Sequence, residues 1–381
     1  MMNTFSQNWN KINWNDLSFC IYNQNEKNVE KVLNTKIFNL ASISALLSPK
    51  AKSYIEPLAK IAQGLTRQRF GNVVNFYLPL YLSNLCSNEC TYCGFSKSNR
   101  IKRKILNEQE IIKECEVIRA KGINNFLLVT GEHKNKVGMD YFRRYIPLIR
   151  NYCSSSLLIE IQPMLEEEYV ELKALGVDGV LVYQETYDII TYSNNHLYGK
   201  KRNFFWRLET PERLAKAGID KIGLGVLMGL SNDWRVDCYI LAKHLLYLRD
   251  IYWKSSYSIS FPRLRPCIGQ TISNSAVLID DIDLLQAMCA FRLLMPEIEI
   301  SLSTRESPNF RNHVIPILVN NVSTGSKTSP GGYASNKKEL EQFVIYDNRS
   351  PKEMHQVLLS AGIQPIYKDW DSYLRINSIK Y

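Results

Sequence analysis

The spacing of apolar residues changes at about residue 72. Before it, apolar side chains recur every three or four positions, as at Leu46, Leu47, Ala51 and Leu58, and this spacing predicts amphipathic helices. After it, short runs rich in β-branched and aromatic residues alternate with amphipathic segments. Such alternation is typical of βα units around a parallel sheet. The chain therefore predicts a helical N-terminal part followed by an α/β domain.

Eight of the apolar runs have the length and composition of buried parallel strands. They are residues 73–82, 126–130, 157–162, 179–183, 221–228, 257–262, 299–303 and 315–320. Helical patterns lie between several of them, at residues 107–121, 140–151, 166–175, 211–217, 234–253 and 280–295. Eight parallel strands with right-handed crossovers predict a closed (β/α)8 TIM-type barrel.

These patterns divide the chain into three parts. We predict an N-terminal helical extension at 1–71, the barrel at 72–333 and a short C-terminal segment at 334–381 that packs on the barrel. A proline and two glycines at 330–332 end the regular structure. The polar N-terminus lacks the apolar core of a secretory signal. No run of about 18 apolar residues predicts a membrane span.

Three cysteines are clustered directly after the first predicted strand. Cys86, Cys90 and Cys93 have the spacing C-x3-C-x2-C, and the aromatic Tyr92 precedes the third. Three thiolates this close can hold three irons of one [4Fe–4S] cluster, which leaves the fourth iron open for a small molecule. A zinc knuckle and unrelated buried thiols are the alternatives. Zinc usually takes four protein ligands, and no nearby His or Cys completes such a set.

The remaining composition limits the compartment and the partners. The other six cysteines are scattered and are predicted to be buried thiols in a reducing cytoplasm, which also suits an oxygen-labile cluster. The net charge of +10 is interpreted as a bias toward lysine rather than as a nucleic-acid surface. The basic run at 97–104 carries no nucleic-acid motif. We therefore expect no nucleic-acid partner. These six cysteines are Cys20, Cys115, Cys153, Cys238, Cys267 and Cys289.

The cysteine segment resembles the cluster loop of the radical S-adenosylmethionine (SAM) enzymes, in which the methionine part of SAM binds the open iron. In that superfamily a Gly-Gly-Glu sequence after the second strand contacts SAM. Here Thr130, Gly131 and Glu132 match it in part. The resemblance implies SAM contacts from Gly131, Glu132 and Tyr92. A helix-capping role is the alternative for Glu132.

Two further positions are predicted to contact SAM. Glu185 follows the fourth strand and Arg207 lies in the next loop, so that the pair can bind the amino and carboxylate groups of SAM. A structural ion pair is the alternative. Gly225 lies within the fifth strand, where glycine lets a ligand such as adenosine approach the backbone. Tight barrel packing explains this glycine nearly as well.

The opposite side of the predicted barrel mouth is cationic. Arg263 and Arg265 follow the sixth strand, and Arg305 follows the seventh. A guanidinium binds a carboxylate through two parallel hydrogen bonds, so we predict a substrate carboxylate there, with Arg305 as the main contact. Ser323 and its neighbours line the same mouth. Charge pairing with acids of neighbouring loops is the alternative for the arginines.

Longer segments resemble the 2-iminoacetate synthases, the tyrosine lyases of bacterial thiamine biosynthesis. They include YLSNLCSNECTYCGFSKSNRIKRK, VTGEHKNKVGMDYF, VYQETY, SFPRLRPC and SLSTRESP. The resemblance implies cleavage of L-tyrosine to 2-iminoacetate and 4-methylphenol with one [4Fe–4S] cluster and SAM, and with no further catalytic side chain. It also implies a flavodoxin- or ferredoxin-type reductant and a thiazole synthase as protein partner.

Three alternatives differ in chemistry. A tyrosine lyase of hydrogenase maturation carries a second, C-terminal cluster, but no cysteine follows Cys289 in this sequence. A tryptophan lyase is a second neighbour within the same superfamily. A basic, cluster-bearing RNA-binding or RNA-modifying protein belongs to another class and would need an RNA-binding module, which the sequence does not suggest.

Overall fold

The computed structural model describes residues 4–269, 277–335 and 341–368. The last part of the predicted C-terminal segment, residues 369–381, lies outside the described residues. The division of the chain at residues 71 and 333 therefore stays a prediction. Across the described ranges, no helix is long and apolar enough to cross a membrane.

A closed parallel barrel forms the centre of the molecule. Its strands, here numbered β1 to β8, are Val73–Ser83, Phe126–Thr130, Leu157–Glu160, Gly179–Leu181, Lys221–Gly225, Ser256–Ser260, Glu299–Leu302 and Asn321–Ser323. Each strand pairs in parallel with the next. β8 returns to β1, with Asn75 opposite Asn321 and Tyr77 opposite Ser323. The predicted (β/α)8 barrel is confirmed.

The eighth predicted strand was wrong. Residues 315–320 were expected to be extended, but helix Pro308–Leu318 covers most of them, and β8 begins at Asn321. Ser307 caps this helix, because its hydroxyl accepts the N–H of Phe310 at 3.2 Å. Phe310, Val314, Ile315 and Leu318 are buried at helical spacing, so the apolar run that looked like a strand is the inner face of a helix.

The outer helices follow the predicted ones to within two residues at either end. They are Glu108–Ala120, Met139–Arg150, Glu166–Ala174, Thr210–Lys216, Trp234–Ile251 and Asp281–Leu294. Shorter helices, Ile189–Asn195 and Phe204–Leu208, lie between β4 and β5. The main hydrophobic core lies between these helices and the barrel strands.

The N-terminal helices pack against the outside of the barrel. They are Phe5–Trp9, Trp14–Tyr22, Glu26–Thr35, Leu40–Leu47 and Ile55–Phe70. Asparagine caps several of them, as at Asn13, Asn25 and Asn39, whose side chains accept backbone N–H groups. Leu40–Leu47 is almost wholly buried, and it contacts helices Trp234–Ile251 and Asp281–Leu294.

The C-terminal segment is joined to the barrel. Helix Pro351–Ser360 precedes a ninth strand, β9 (Gln364–Ile366), which pairs in parallel with the start of β1. Arg311 and Asp347 form an ion pair in which both side chains are fully buried. Arg311 also donates to the carbonyl of Ser323. Because a buried charge that loses its partner costs about 3–5 kcal/mol, this pair fixes the segment beside β8.

Side chains fill the lower barrel and leave its upper part open. Leu127 and Leu181 pack with Tyr81 and Val129 inside the barrel. Lys221 and Glu299 pair near its amino-terminal end. The open part lies at the carboxyl ends of the strands, where (β/α)8 barrels carry their functional groups.

Candidate active site

The upper barrel encloses a cavity with about 1410 Å³ of empty space, part of it open to solvent. Its wall carries thiols, carboxylates and cations from several strand ends. They include Cys86, Cys90, Cys93, Glu132, Glu160, Glu185, Lys201, Arg207 and Arg305.

The three clustered cysteines lie together on the wall next to β1. Cys90 is buried, while Cys86 and Cys93 are half-buried. Burial raises the pKa of Cys86 to about 11 and also raises the pKa of Cys90. Since burial disfavours the charged thiolate, these cysteines need a positively charged partner to be deprotonated. Within the described residues, no three His, Cys, Asp or Glu side chains lie close enough to share one metal ion. A cubane takes each ligand on a different iron, so the donor set fits a cluster.

Hydrogen bonds to sulfur surround this site. The N–H of Asn88 donates to Cys86 Sγ at 3.5 Å. The side-chain amide of Gln342 donates to Cys93 Sγ at 3.7 Å and accepts the hydroxyl of Tyr81 at 2.8 Å. Hydrogen bonds to cluster sulfurs tune the reduction potential. The C-terminal segment thus supplies a group that the sequence did not indicate.

Arg103 holds the cysteine loop in shape. Its guanidinium donates to the backbone carbonyls of Asn84 and Phe95 at 2.9 and 2.8 Å, and to that of Asn99 at 3.1 Å. Lys104 pairs with Glu110 at 3.0 Å. Part of the basic run at 97–104 therefore stabilises the loop itself.

Replacing Arg103 with glutamine is expected to lower the iron content of the reconstituted protein, because several loop carbonyls lose a common donor. Lys102→Gln is the matched control, because this substitution also removes one positive charge but does so at an exposed residue. Iron and sulfide analysis measures the effect. Equal iron contents in the two variants would contradict a role for Arg103 in loop geometry.

A short antiparallel ribbon joins the cysteine loop to the loop after β4. Glu89 pairs with Tyr198, and Cys90 pairs with His196. Gly199 follows with φ of +89°, and a Cβ there would lie 2.2 Å from the side-chain oxygen of Asn88. Only glycine fits this close approach.

Tyr92, the aromatic residue before Cys93, lines the cavity. Its hydroxyl lies 2.7 Å from Nε2 of His196, whose Nδ1 lies 2.7 Å from the carbonyl of Tyr192. Since a carbonyl only accepts, Nδ1 carries the proton and Tyr92 donates to Nε2. Tyr92 is thereby fixed beside the thiols.

Two carboxylates and two cations form a network on the cavity wall. Arg207 Nη1 lies 3.0 Å from Glu132, and Arg207 Nη2 lies 3.8 Å from Glu185. Lys201 Nζ lies 2.7 Å from the same oxygen of Glu185. Burial alone raises the pKa of Glu185, but Lys201 and Arg207 outweigh it and hold that pKa below its usual value. The network contains two acidic and two basic side chains, so the ammonium and carboxylate groups of a zwitterion can both find partners in it.

Glu185 has a backbone conformation that is rare for a residue with a side chain. Its φ is +73°, and its carbonyl accepts the N–H of Leu227 at 2.8 Å. Such strain persists only where the surroundings fix it, and it is concentrated at functional clefts. The strain turns this carboxylate toward Arg207 and Lys201.

Of the other predicted SAM-binding positions, Gly131 lines the cavity and Gly225 does not. A Cβ on Gly131 would lie 2.4 Å from the carbonyl oxygen of Leu85, in the cysteine loop. A Cβ on Gly225 would lie 2.4 Å from the carbonyl of Ser260 and 2.7 Å from Tyr183. The position of Gly225 therefore fits tight barrel packing, which the sequence analysis gave as the alternative to a SAM contact.

The three predicted substrate arginines separate into two groups. Arg305 lines the cavity, and its guanidinium stacks 3.7 Å from the ring centre of Phe343. Arg263 and Arg265 both donate to Glu306. The latter two do not line the cavity, because this buried carboxylate holds them in the wall behind it. Arg263 and Arg265 therefore fit the alternative from the sequence analysis, in which they pair with an acid of a neighbouring loop.

Ser323 reaches the cavity, but its hydroxyl already has a protein partner. It accepts the N–H of Thr304 at 3.1 Å. Sequence reasoning missed Lys201, Glu160 and Gln342. Glu160 ends β3, and it could have been identified as a candidate from the sequence because it is a charged residue in a barrel strand.

The scattered cysteines only partly match the prediction of buried thiols. Cys115, Cys153, Cys238 and Cys289 are buried, whereas Cys20 is exposed and Cys267 is half-buried. Cys267 donates to the carbonyl of Tyr92 at 3.2 Å. It therefore lies against the cysteine loop rather than in the core.

The barrel, the cysteine loop and the cavity define a class of protein. Residues 80–239 match the Radical SAM superfamily, and residues 260–364 match the Biotin and Thiamin Synthesis associated domain. The predicted radical SAM enzyme is thereby confirmed, and this superfamily implies a [4Fe–4S] cluster and SAM as cofactors.

The similarity to individual proteins is closer. The chain is 58% identical to 2-iminoacetate synthase of Salmonella typhimurium and 59% identical to that of Escherichia coli, in each case over 98% of both chains. The chain belongs to the 2-iminoacetate synthase family. The predictions of this family and of a radical SAM carbon–carbon lyase are confirmed.

A solved structure supports the fold. The maturase HydG from Carboxydothermus hydrogenoformans has a TM-score of 0.84 and 30% identity, and the match covers 97% of this chain and 83% of that one. HydG is described as an FeFe-hydrogenase maturase. The shared architecture extends over nearly the whole barrel and its additions.

Proposed function

We propose that this protein cleaves the Cα–Cβ bond of L-tyrosine and releases 2-iminoacetate and 4-methylphenol. One observation carries the proposal beyond family membership. The three clustered thiols and the guanidinium of Arg305 face the same barrel cavity, so a cofactor site and an amino-acid site share one enclosed space. The product 2-iminoacetate would feed thiazole formation for thiamine.

Cys86, Cys90 and Cys93 would hold one [4Fe–4S] cluster. When bound and reduced, the cluster would supply the electron for the reductive cleavage of SAM. The count of one is supported by the absence of any cysteine after Cys289. Gln342 and Asn88 would donate hydrogen bonds to the ligand sulfurs.

The ionic network would orient SAM. Glu132 and Glu185 are suited to its ammonium group, and Lys201 and Arg207 to its carboxylate. Gly131 would let the cofactor lie against the backbone, with Tyr92 beside it. The buried network is preorganised, so little reorganisation is needed when SAM binds.

Arg305 would bind the tyrosine carboxylate. Among the described residues no ion pair includes its guanidinium, whereas Arg263 and Arg265 are paired with Glu306. The protein itself would perform no covalent chemistry. Its side chains place the amino acid next to SAM and keep water from the reactive species.

The remaining proposals concern the protein partner, the reductant and the cellular compartment. A thiazole synthase is the proposed protein partner, because 2-iminoacetate is a labile imine that hydrolyses in water. A flavodoxin- or ferredoxin-type protein is the proposed reductant. None of the nine cysteines forms a disulfide, which supports a reducing compartment such as the cytoplasm.

Anaerobic turnover with separate amino acids tests the proposal. With SAM, reductant and L-tyrosine, the reconstituted protein is expected to release 4-methylphenol and glyoxylate, the hydrolysis product of 2-iminoacetate. L-Tryptophan is expected to be a poor substrate, and no carbon monoxide or cyanide should form. Mass spectrometry showing 3-methylindole from tryptophan ahead of 4-methylphenol from tyrosine would favour a tryptophan lyase instead.

A further inference from the structure

Glu160 is a carboxylate that the proposed mechanism leaves unused. It ends β3 and lines the same cavity as the three thiols. Its side chain is half-buried, and within the described part of the chain it takes part in no hydrogen bond or ion pair. Burial raises the pKa of Glu160 to about 7, with a further contribution from Glu185. Because this carboxylate opens into the cavity and accepts no protein hydrogen bond, a ligand with an O–H or N–H group can supply the donor.

The neighbouring tyrosines do not fill this role. Tyr77, Tyr81 and Tyr183 interact electrostatically with Glu160. Within the described residues, however, none of their hydroxyls forms a hydrogen bond with Glu160. The hydroxyl of Tyr81 instead donates to Gln342 at 2.8 Å. Lys201, Arg305 and Arg207 act on the carboxylate electrostatically without forming an ion pair with it, so it remains available to a ligand.

The position of Glu160 relative to Arg305 indicates which part of the substrate it meets. Glu160 ends β3 and Arg305 follows β7, and these two strands lie four places apart in a closed ring of eight, on opposite walls. The carboxylate and ammonium of an amino acid share one carbon, so both lie near Arg305 once that residue is engaged. The phenol oxygen is the far end of tyrosine and extends toward the opposite wall.

We propose that Glu160 accepts the hydrogen bond of the tyrosine phenol and thereby selects tyrosine over phenylalanine. The inference rests on the proposed function and deepens it by naming the specificity-determining residue. A site built to bond a substrate hydroxyl discriminates strongly against the analogue without it, because its own polar group is then left buried and unpaired.

Equilibrium binding tests the assignment without turnover. The reconstituted protein, loaded with SAM and kept without reductant, is titrated anaerobically with L-tyrosine and L-phenylalanine by calorimetry. The wild type is expected to prefer tyrosine. Glu160→Leu should lose at least about 10-fold of tyrosine affinity, in line with one lost bond to a charged group, and keep its phenylalanine affinity. Glu160→Gln, which retains an acceptor oxygen, should keep most of the preference.

Two further measurements make the outcomes separable. In the wild type, 4-aminophenylalanine, which has an N–H donor at the same place, should bind more tightly than phenylalanine even if Glu160→Leu fails to fold. Equal loss of tyrosine and phenylalanine affinity in Glu160→Leu would overturn the inference, since Glu160 would then contact the shared ammonium. A wild type that cleaves tyrosine but binds both amino acids equally would overturn only this inference. A wild type that neither binds nor cleaves tyrosine would overturn the proposed function as well.

Discussion

Replacing Cys86, Cys90 or Cys93 with alanine is expected to abolish 5′-deoxyadenosine formation and to remove most of the bound iron. Each of three irons in the cubane needs its own thiolate, and no other cysteine lines the cavity among the described residues. The wild type should contain about four irons per chain after anaerobic reconstitution. Iron and sulfide analysis, together with chromatography of 5′-deoxyadenosine, measures both effects.

Two cysteines outside the cavity provide controls. Cys20 is exposed in the N-terminal helices, and Cys289 is buried in an outer helix, so Cys20→Ala and Cys289→Ala should keep both iron and product. About eight irons per wild-type chain would contradict the single cluster. Wild-type iron in Cys90→Ala would contradict the assignment of the ligands.

Arg305→Met is expected to weaken tyrosine binding strongly while the cluster spectrum and SAM binding survive. A buried charge-assisted pair that loses one partner costs about 2–5 kcal/mol, which corresponds to a loss of roughly 30-fold to 4,000-fold in affinity. Calorimetric titration with tyrosine measures it. Arg144→Met is the control, because its side chain is 66% exposed on an outer helix. An unchanged affinity in Arg305→Met would place the substrate carboxylate elsewhere.

The sequence predicted most of the barrel because its helices and its strands both have clear patterns of apolar residues. β2 and β4 are buried throughout and form continuous apolar runs, whereas β3 and β7 alternate between buried and half-buried residues. The eighth failed because Ile315, Ile317 and Leu318 are apolar and partly β-branched, which favours a strand locally. Ser307 and Pro308 at the start of the helix were the stronger signal.

The cysteine loop was predictable because its spacing is local in the chain. The charge pairing was not, since it depends on distant loops. Arg263 and Arg265 were expected to bind the substrate carboxylate alongside Arg305, the predicted main contact, but both form ion pairs with Glu306. Lys201 and Gln342 reach the site from loops whose position only the closed barrel fixes. Glu160 has a sequence signal, as a charged residue in a barrel strand, but its place in the cavity depends on the closed barrel.

The most direct measurement follows the two carbons of the bond that is broken. The reconstituted protein is given SAM, reductant and L-tyrosine labelled with ¹³C at Cβ or, separately, at Cα. The Cβ label is expected in the methyl group of 4-methylphenol, and the Cα label is expected in glyoxylate. Formation of 5′-deoxyadenosine with both labels remaining in a single product would contradict cleavage between these carbons, and with it the proposed tyrosine lyase.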